Sequence, residues 1–180
     1  MKQISFVLGF IFLLGRIIDT CSQSNPTSGF TRLPFNKSHY VNHKPYNVPL
    51  DQRYSFINGV HKLWVYSNDK PFRSDSPTKP RSEISINGYV YSSGVWQFEG
   101  YMYVPRGTSG VSLMQLFGGN PQATTLMDND NVKVYINGDL KFEGRGRGGN
   151  EHYFKFGVYA QDQDSSCMES RWRDVKIFKK

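Results

Sequence analysis

The chain has 180 residues, 38% of them hydrophobic and 15% aromatic, with 22 Lys and Arg against 15 Asp and Glu for a net charge of +7. This length suits one domain that buries a continuous core unaided, and two cysteines exclude a disulfide framework. The basic balance favours anionic partners, but no run of lysines or arginines is long enough to act as a polybasic arm on nucleic acid.

Lys2 is followed by the apolar run Ile4–Leu14 and then by small and polar residues, the layout of a cleavable signal peptide. Thr20 and Ser22 suit the positions read by signal peptidase, so residues 1–22 are expected to leave, and about 158 residues to remain. Losing Lys2, Arg16 and Asp19 lowers the net charge by one, to +6. No later stretch approaches the roughly 20 apolar residues of a transmembrane helix. The mature chain is therefore expected to be soluble, free of membrane, and carried by the secretory pathway to the extracellular space (the apoplast) or the vacuole. That compartment also argues against nucleic acid as a partner. Cys21 departs with the leader, which leaves Cys167 without an intramolecular partner, and burial is its expected fate. Asn36-Lys37-Ser38 is an acceptable glycosylation sequon, whereas Asn25-Pro26-Thr27 carries the excluded proline.

Residues 23–52 are rich in Pro, Asn, Ser and single aromatics without a period, and predict an extended arm wrapping the domain. Residues 53–180 form that domain. Its first predicted strands are Tyr54–Phe56, His61–Tyr66, Glu83–Ile86, Val95–Val104 and Val111–Phe117, dense in β-branched and aromatic residues and separated by Gly, Pro, Asn and Ser. Val132–Ile136 and Asp139–Phe142 flank Asn137-Gly138, which predicts a type I′ hairpin. The stretch Gly144–Gly149 reads as a flexible loop, too irregular for phosphate binding. Strands Tyr153–Gln161 and Met168–Phe178 close the chain. So many antiparallel strands without intervening helices predict an all-β fold, an antiparallel β-sandwich or jelly roll.

Alternation sorts these strands into faces. Tyr153, Lys155, Tyr159 and Gln161 fall on one side of their strand, with Phe154, Phe156, Val158 and Ala160 on the other. The same rule sets Arg81, Glu83 and Ser85 against Ile84 and Ile86. One face is core; the other is polar, basic and tyrosine-rich. No His, Cys or carboxylate group has the spacing of metal ligands, and no cofactor is implied.

Arg81-Ser82-Glu83, Met114-Gln115-Leu116-Phe117 and Tyr153–Gln161 resemble the three motif strands of the alginate-lyase-type jelly roll, polysaccharide lyase family 7. The stretches Tyr54–Tyr66, Tyr91–Gly100 and Met168–Trp172 resemble plant citrate-binding proteins within that group. The resemblance covers nearly all of the chain after about Gly29. Lyases of this fold cleave uronate polymers by β-elimination, in which donors or cations must first neutralise the carboxylate beside the C5 proton. By resemblance, Arg81 and Gln115 take that role. A tyrosine then acts as base, acid or both, and Tyr159 is the matching residue, with Lys155 and Gln161 beside it.

Two departures alter what the resemblance implies. Lyases carry Gln-x-His on the middle motif strand, where this chain has Gln115-Leu116-Phe117, and phenylalanine accepts no proton. The sequence places none of His39, His43, His61 or His152 in the cleft. Related chains also have a longer segment where Leu126-Met127 here runs into Asp128, so the jelly roll is expected to lack about two strands. The leading expectation is a non-catalytic binder of citrate or another polycarboxylate, with Arg81, Glu83, Gln115, Tyr153, Lys155, Tyr159 and Gln161 as ligand contacts. The alternatives are a polysaccharide lyase acting on acidic polysaccharide through Tyr159, Gln115 and Arg81, and a wall-polysaccharide binding module whose aromatics stack on sugars.

Overall fold

The computed structural model describes residues 3–5, 27–119, 127–146, 151–162 and 165–180. Twelve strands are formed among them: β1 (Gln3–Ser5), β2 (Thr31–Leu33), β3 (Tyr40–His43), β4 (Tyr54–Ile57), β5 (Val60–Tyr66), β6 (Arg81–Ile86), β7 (Trp96–Tyr103), β8 (Val111–Gly119), β9 (Met127–Ile136), β10 (Asp139–Gly146), β11 (Glu151–Ala160) and β12 (Cys167–Lys179). All pair antiparallel. One sheet runs β1-β7-β12-β5-β4 with β2 also on β12, and the other runs β3-β6-β11-β8. The backbone of Gln3–Ser5, within the stretch read as a leader, lies along Tyr101–Tyr103.

The inner faces are built as the alternation requires. Leu63 and Val65 of β5 and Met168, Trp172 and Ile177 of β12 meet Ile84, Ile86, Phe154, Phe156 and Val158 in one buried cluster. Trp172 packs edge-on to Phe156 and Phe98. A polar chain crosses this core. The Trp172 indole N–H donates to Ser170 Oγ at 3.0 Å, and the Ser170 hydroxyl donates to the Gly157 carbonyl at 2.9 Å. Each buried polar atom in that chain is therefore satisfied, and β12 is tied to the strand that carries the polar face.

The arm enters the sandwich. Its residues Thr31–Leu33 pair with β12 and Tyr40–His43 pair with β6, so it supplies strands to both sheets. Between them the Asn36 side chain accepts from the Ser38 N–H at 2.9 Å and caps a short 3-10 turn, Lys37–His39. At the predicted hairpin, Asn137 and Gly138 both have positive φ (54° and 83°), as a type I′ turn needs. Gly144–Gly146, read from sequence as loop, instead continue strand β10, because Gly144 and Arg145 pair with Val132 and Asn131. The rest of that glycine stretch, 147–149, lies outside the described residues. Cys167 is exposed, not buried: it opens β12 on the outward side of the alternation that points Met168, Ser170 and Trp172 inward.

Among the described residues β9 and β10 pair only with each other and form a two-stranded sheet apart from the two layers. Ladders of this kind are marginal unless packed, and among the described side chains of the two strands Val132 is the one that packs against the core. In hydrogen exchange, amides along Val132–Phe142 are expected to open at least about 100-fold more often than those of β11. Equal protection of the two would contradict this.

Candidate functional site

The polar face lies on the outer surface of the β3-β6-β11-β8 sheet, and strand register assembles it. Val41, Ser85, Lys155 and Gln115 form one row across four strands. The next row contains His43, Glu83 and Gly157; beyond it Arg81 pairs with Tyr159, and on the other side Tyr153 pairs with Phe117. Strand partners share a face, so six of the seven sequence-predicted contacts converge. Gln161, the seventh, is exposed just beyond β11, where its side-chain amide donates to the Tyr159 and Ala160 carbonyls.

This face is covered. Arg81, Glu83, Gln115 and Lys155 are all buried, Glu83 at only 1% exposure. Phe72, from the loop between β5 and β6, lies over Arg81 with its ring centroid 4.8 Å from the guanidinium carbon, and 5.1 Å from the His43 ring. Tyr159 stacks on Arg81 from the other direction, 3.8 Å away. Lys155 Nζ stands 4.0 Å from the Phe117 ring centre and 5.5 Å from that of Tyr153. Each cation is thus sheltered by two aromatic rings, which favour positive charge at their faces. Phe117 supplies a π surface for Lys155 where the lyase motif would supply an imidazole.

Burial sets the electrostatics. It pushes the Glu83 carboxyl up to about 7, against the opposing pull of Arg81 and Lys155. It brings Lys155 down to about 8, with Arg81 adding to the fall and Glu83 resisting it. Tyr153 is raised by burial and by Glu83, which keeps its hydroxyl a donor. Near neutral pH two buried cations face one carboxyl that is only about half ionised. Although Arg81 Nη1 lies within ion-pair range of Glu83 Oε2, at 3.4 Å the contact is long. Positive charge is left over, and buried charge is costly unless paired. Arg81 Nε, Glu83 Oε1, Gln115 Oε1 and His43 Nδ1 are also buried with no protein partner. So dense a set of unsatisfied groups on one face is the mark of a place where a ligand or solvent completes the bonding.

His43 is the residue that sequence reasoning missed. Strand β3 sets it against Glu83, and burial together with the charges of Lys155 and Arg81 lowers it to about 4, so its imidazole is neutral at pH 7. No motif surrounds it in Tyr40-Val41-Asn42-His43; only its pairing with β6 brings it here. His61, in contrast, lies in the core with its Nδ1 3.0 Å from the Tyr54 hydroxyl, and His152 is buried beside Tyr91. Among the described residues no three His, Cys, Asp or Glu side chains gather as metal ligands would.

The alginate lyase family model matches residues 32–129 and 122–179. The chain belongs to this family. The citrate-binding protein of Hevea brasiliensis is 44% identical over 193 aligned positions, covering 88% of this chain and 81% of the relative. A solved alginate lyase of polysaccharide lyase family 7, AlgAT5, superposes with a TM-score of 0.59 at 14% identity, over 77% of this chain and 93% of the other. The fold is therefore the jelly roll of that group. The family match is in two parts that overlap at residues 122–129, a stretch that runs into the start of β9. Moreover, 88% of 180 residues is about 158, so about 35 of the 193 positions aligned with the Hevea protein have no counterpart here.

Proposed function

We propose that the protein binds a small polycarboxylate such as citrate on the β6-β11-β8 face, without cleaving a polymer. The observation that carries this reading is the buried surplus of positive charge, the two cations Arg81 and Lys155 against the single carboxyl of Glu83. A carboxylate supplies the missing anion. It would accept from Arg81, Lys155, the Gln115 amide and the Tyr153 and Tyr159 hydroxyls, while a protonated Glu83 donates through Oε1. Charge-assisted bonds of this kind are the strong ones, and in a covered site they are weakened little by water. The identity with the Hevea protein, named for citrate binding, supports the same ligand class. The apolar leader supports delivery through the secretory pathway.

His43 favours one second reading, uronate-polymer lysis by β-elimination. Its neutral imidazole can accept a proton, and Arg81 and Gln115 can neutralise a substrate carboxylate. Incubation with polyglucuronate and with alginate, followed by absorbance of the unsaturated product, separates the two readings. The binding reading expects no product. Product that disappears in both His43→Ala and Tyr159→Phe would establish lysis in its place.

The ionisation of the site gives the binding a pH dependence. Rising pH removes the proton of Glu83 around 7, adding a negative charge beside the ligand, and then removes the charge of Lys155 around 8. Both changes oppose an anion, so citrate affinity measured by calorimetry is expected to fall at least about 10-fold from pH 6.5 to pH 9. A flat or rising profile would contradict the assignment of these two groups to the site.

A further inference from the structure

A cavity of about 590 Å³ lies away from the carboxylate face, in the slot between the edge strands of the two sheets, β3 and β4. Strand β3 serves both places: His43 points to the carboxylate face, and its neighbours Tyr40 and Asn42 line the slot. Tyr54, Ser55 and Phe56 of β4 form the opposite wall. The chemistry differs from that of the first site. The charged side chains at the slot are Lys37 and Asp51, one of each sign, so no net charge calls for an anion. Asn42 Oδ1 is buried with no protein donor, and Phe56, whose ring packs 4.4 Å from that of His61, is still 41% exposed.

A pyranose ring matches this set of groups. Its C–H face stacks on an aromatic ring, and its hydroxyls both donate and accept; here the exposed side of Phe56 offers the ring, and the Asn42 amide and the Tyr40 hydroxyl offer the polar partners. The volume falls within the roughly 300–1,000 Å³ of ligand pockets and exceeds the needs of one sugar. We propose that the slot between β3 and β4 binds a neutral oligosaccharide, independently of the carboxylate face. Two sources share that chemistry, a free oligosaccharide and a glycan attached to Asn36, one residue from Lys37 at the rim.

The test is a titration of full-length protein from a host that does not N-glycosylate, using cellohexaose and mannohexaose and reading ¹⁵N–¹H shifts. Saturable shifts are expected at the Asn42 and Ser55 amides with at least one hexaose. Phe56→Ala, a change at an exposed position, should weaken binding at least about 10-fold, while Lys155→Met should leave it intact. The same titration on protein from a glycosylating host distinguishes the sources: loss of binding there places the protein's own glycan in the slot, and retained binding leaves it to free oligosaccharide. The proposal is overturned if neither hexaose gives saturable shifts, or if Phe56→Ala binds as the wild type does.

Discussion

Gly157→Ala is expected to destabilise the protein by roughly 3–5 kcal/mol, from strained backbone and overpacking together. Gly157 has φ +145°, a conformation that L side chains rarely adopt, and it sits where the register between β11 and β8 slips. An added Cβ would collide with the Ser82 carbonyl oxygen and lie 2.7 Å from Glu83 Cα, both in the backbone of β6. Neither wall yields, because β6 is buried on both faces and the Gly157 carbonyl is held by Ser170. A loss of this size is a large share of the roughly 5–15 kcal/mol that a domain possesses. The urea midpoint checks it; a shift worth less than about 1 kcal/mol would show that β6 and β11 are not as close as described.

Lys155→Met separates binding from folding. The methionine fills the space of the lysine, keeps a side chain against the Phe117 and Tyr153 rings that Lys155 Nζ faces, and removes a buried charge, so the fold should be unharmed or stabilised. Binding should suffer, since truncating one partner of a desolvated charge pair costs roughly 2–5 kcal/mol, or at least about 30-fold in affinity. Calorimetry and thermal unfolding of the one variant read both effects. Unchanged citrate affinity would remove Lys155 from the site, and a collapse in stability would make it a structural residue.

Much of this was legible in the sequence, for identifiable reasons. Tyr153–Gln161 alternates so cleanly that Phe154, Phe156, Val158 and Ala160 reach the core as expected, and Asn137-Gly138 can hardly form anything but its turn. Exposure of Cys167 was equally readable, because Met168, Ser170 and Trp172 keep one phase, and strand phase outweighs the general preference of cysteine for burial. His43 was beyond reach, since a residue in an aperiodic arm acquires neighbours only through pairing with a distant strand. So was the closure of the polar face. Alternation separates Arg81 and Glu83 from Ile84, but cannot reveal that Phe72, from the loop before β6, covers Arg81. The strained glycine was hidden for a related reason: its φ follows from how closely β6 and β11 approach, a tertiary fact.

The central claim is that a carboxylate completes the bonding of Arg81, Glu83, Gln115 and Lys155. Its most direct test is a citrate titration of ¹⁵N-labelled protein at pH 6.5, following backbone amides and the Gln115 side-chain amide. The account predicts saturable shifts at that side chain and along Arg81–Ser85 and Tyr153–Tyr159. Absent shifts, or shifts confined to other surfaces, would contradict it.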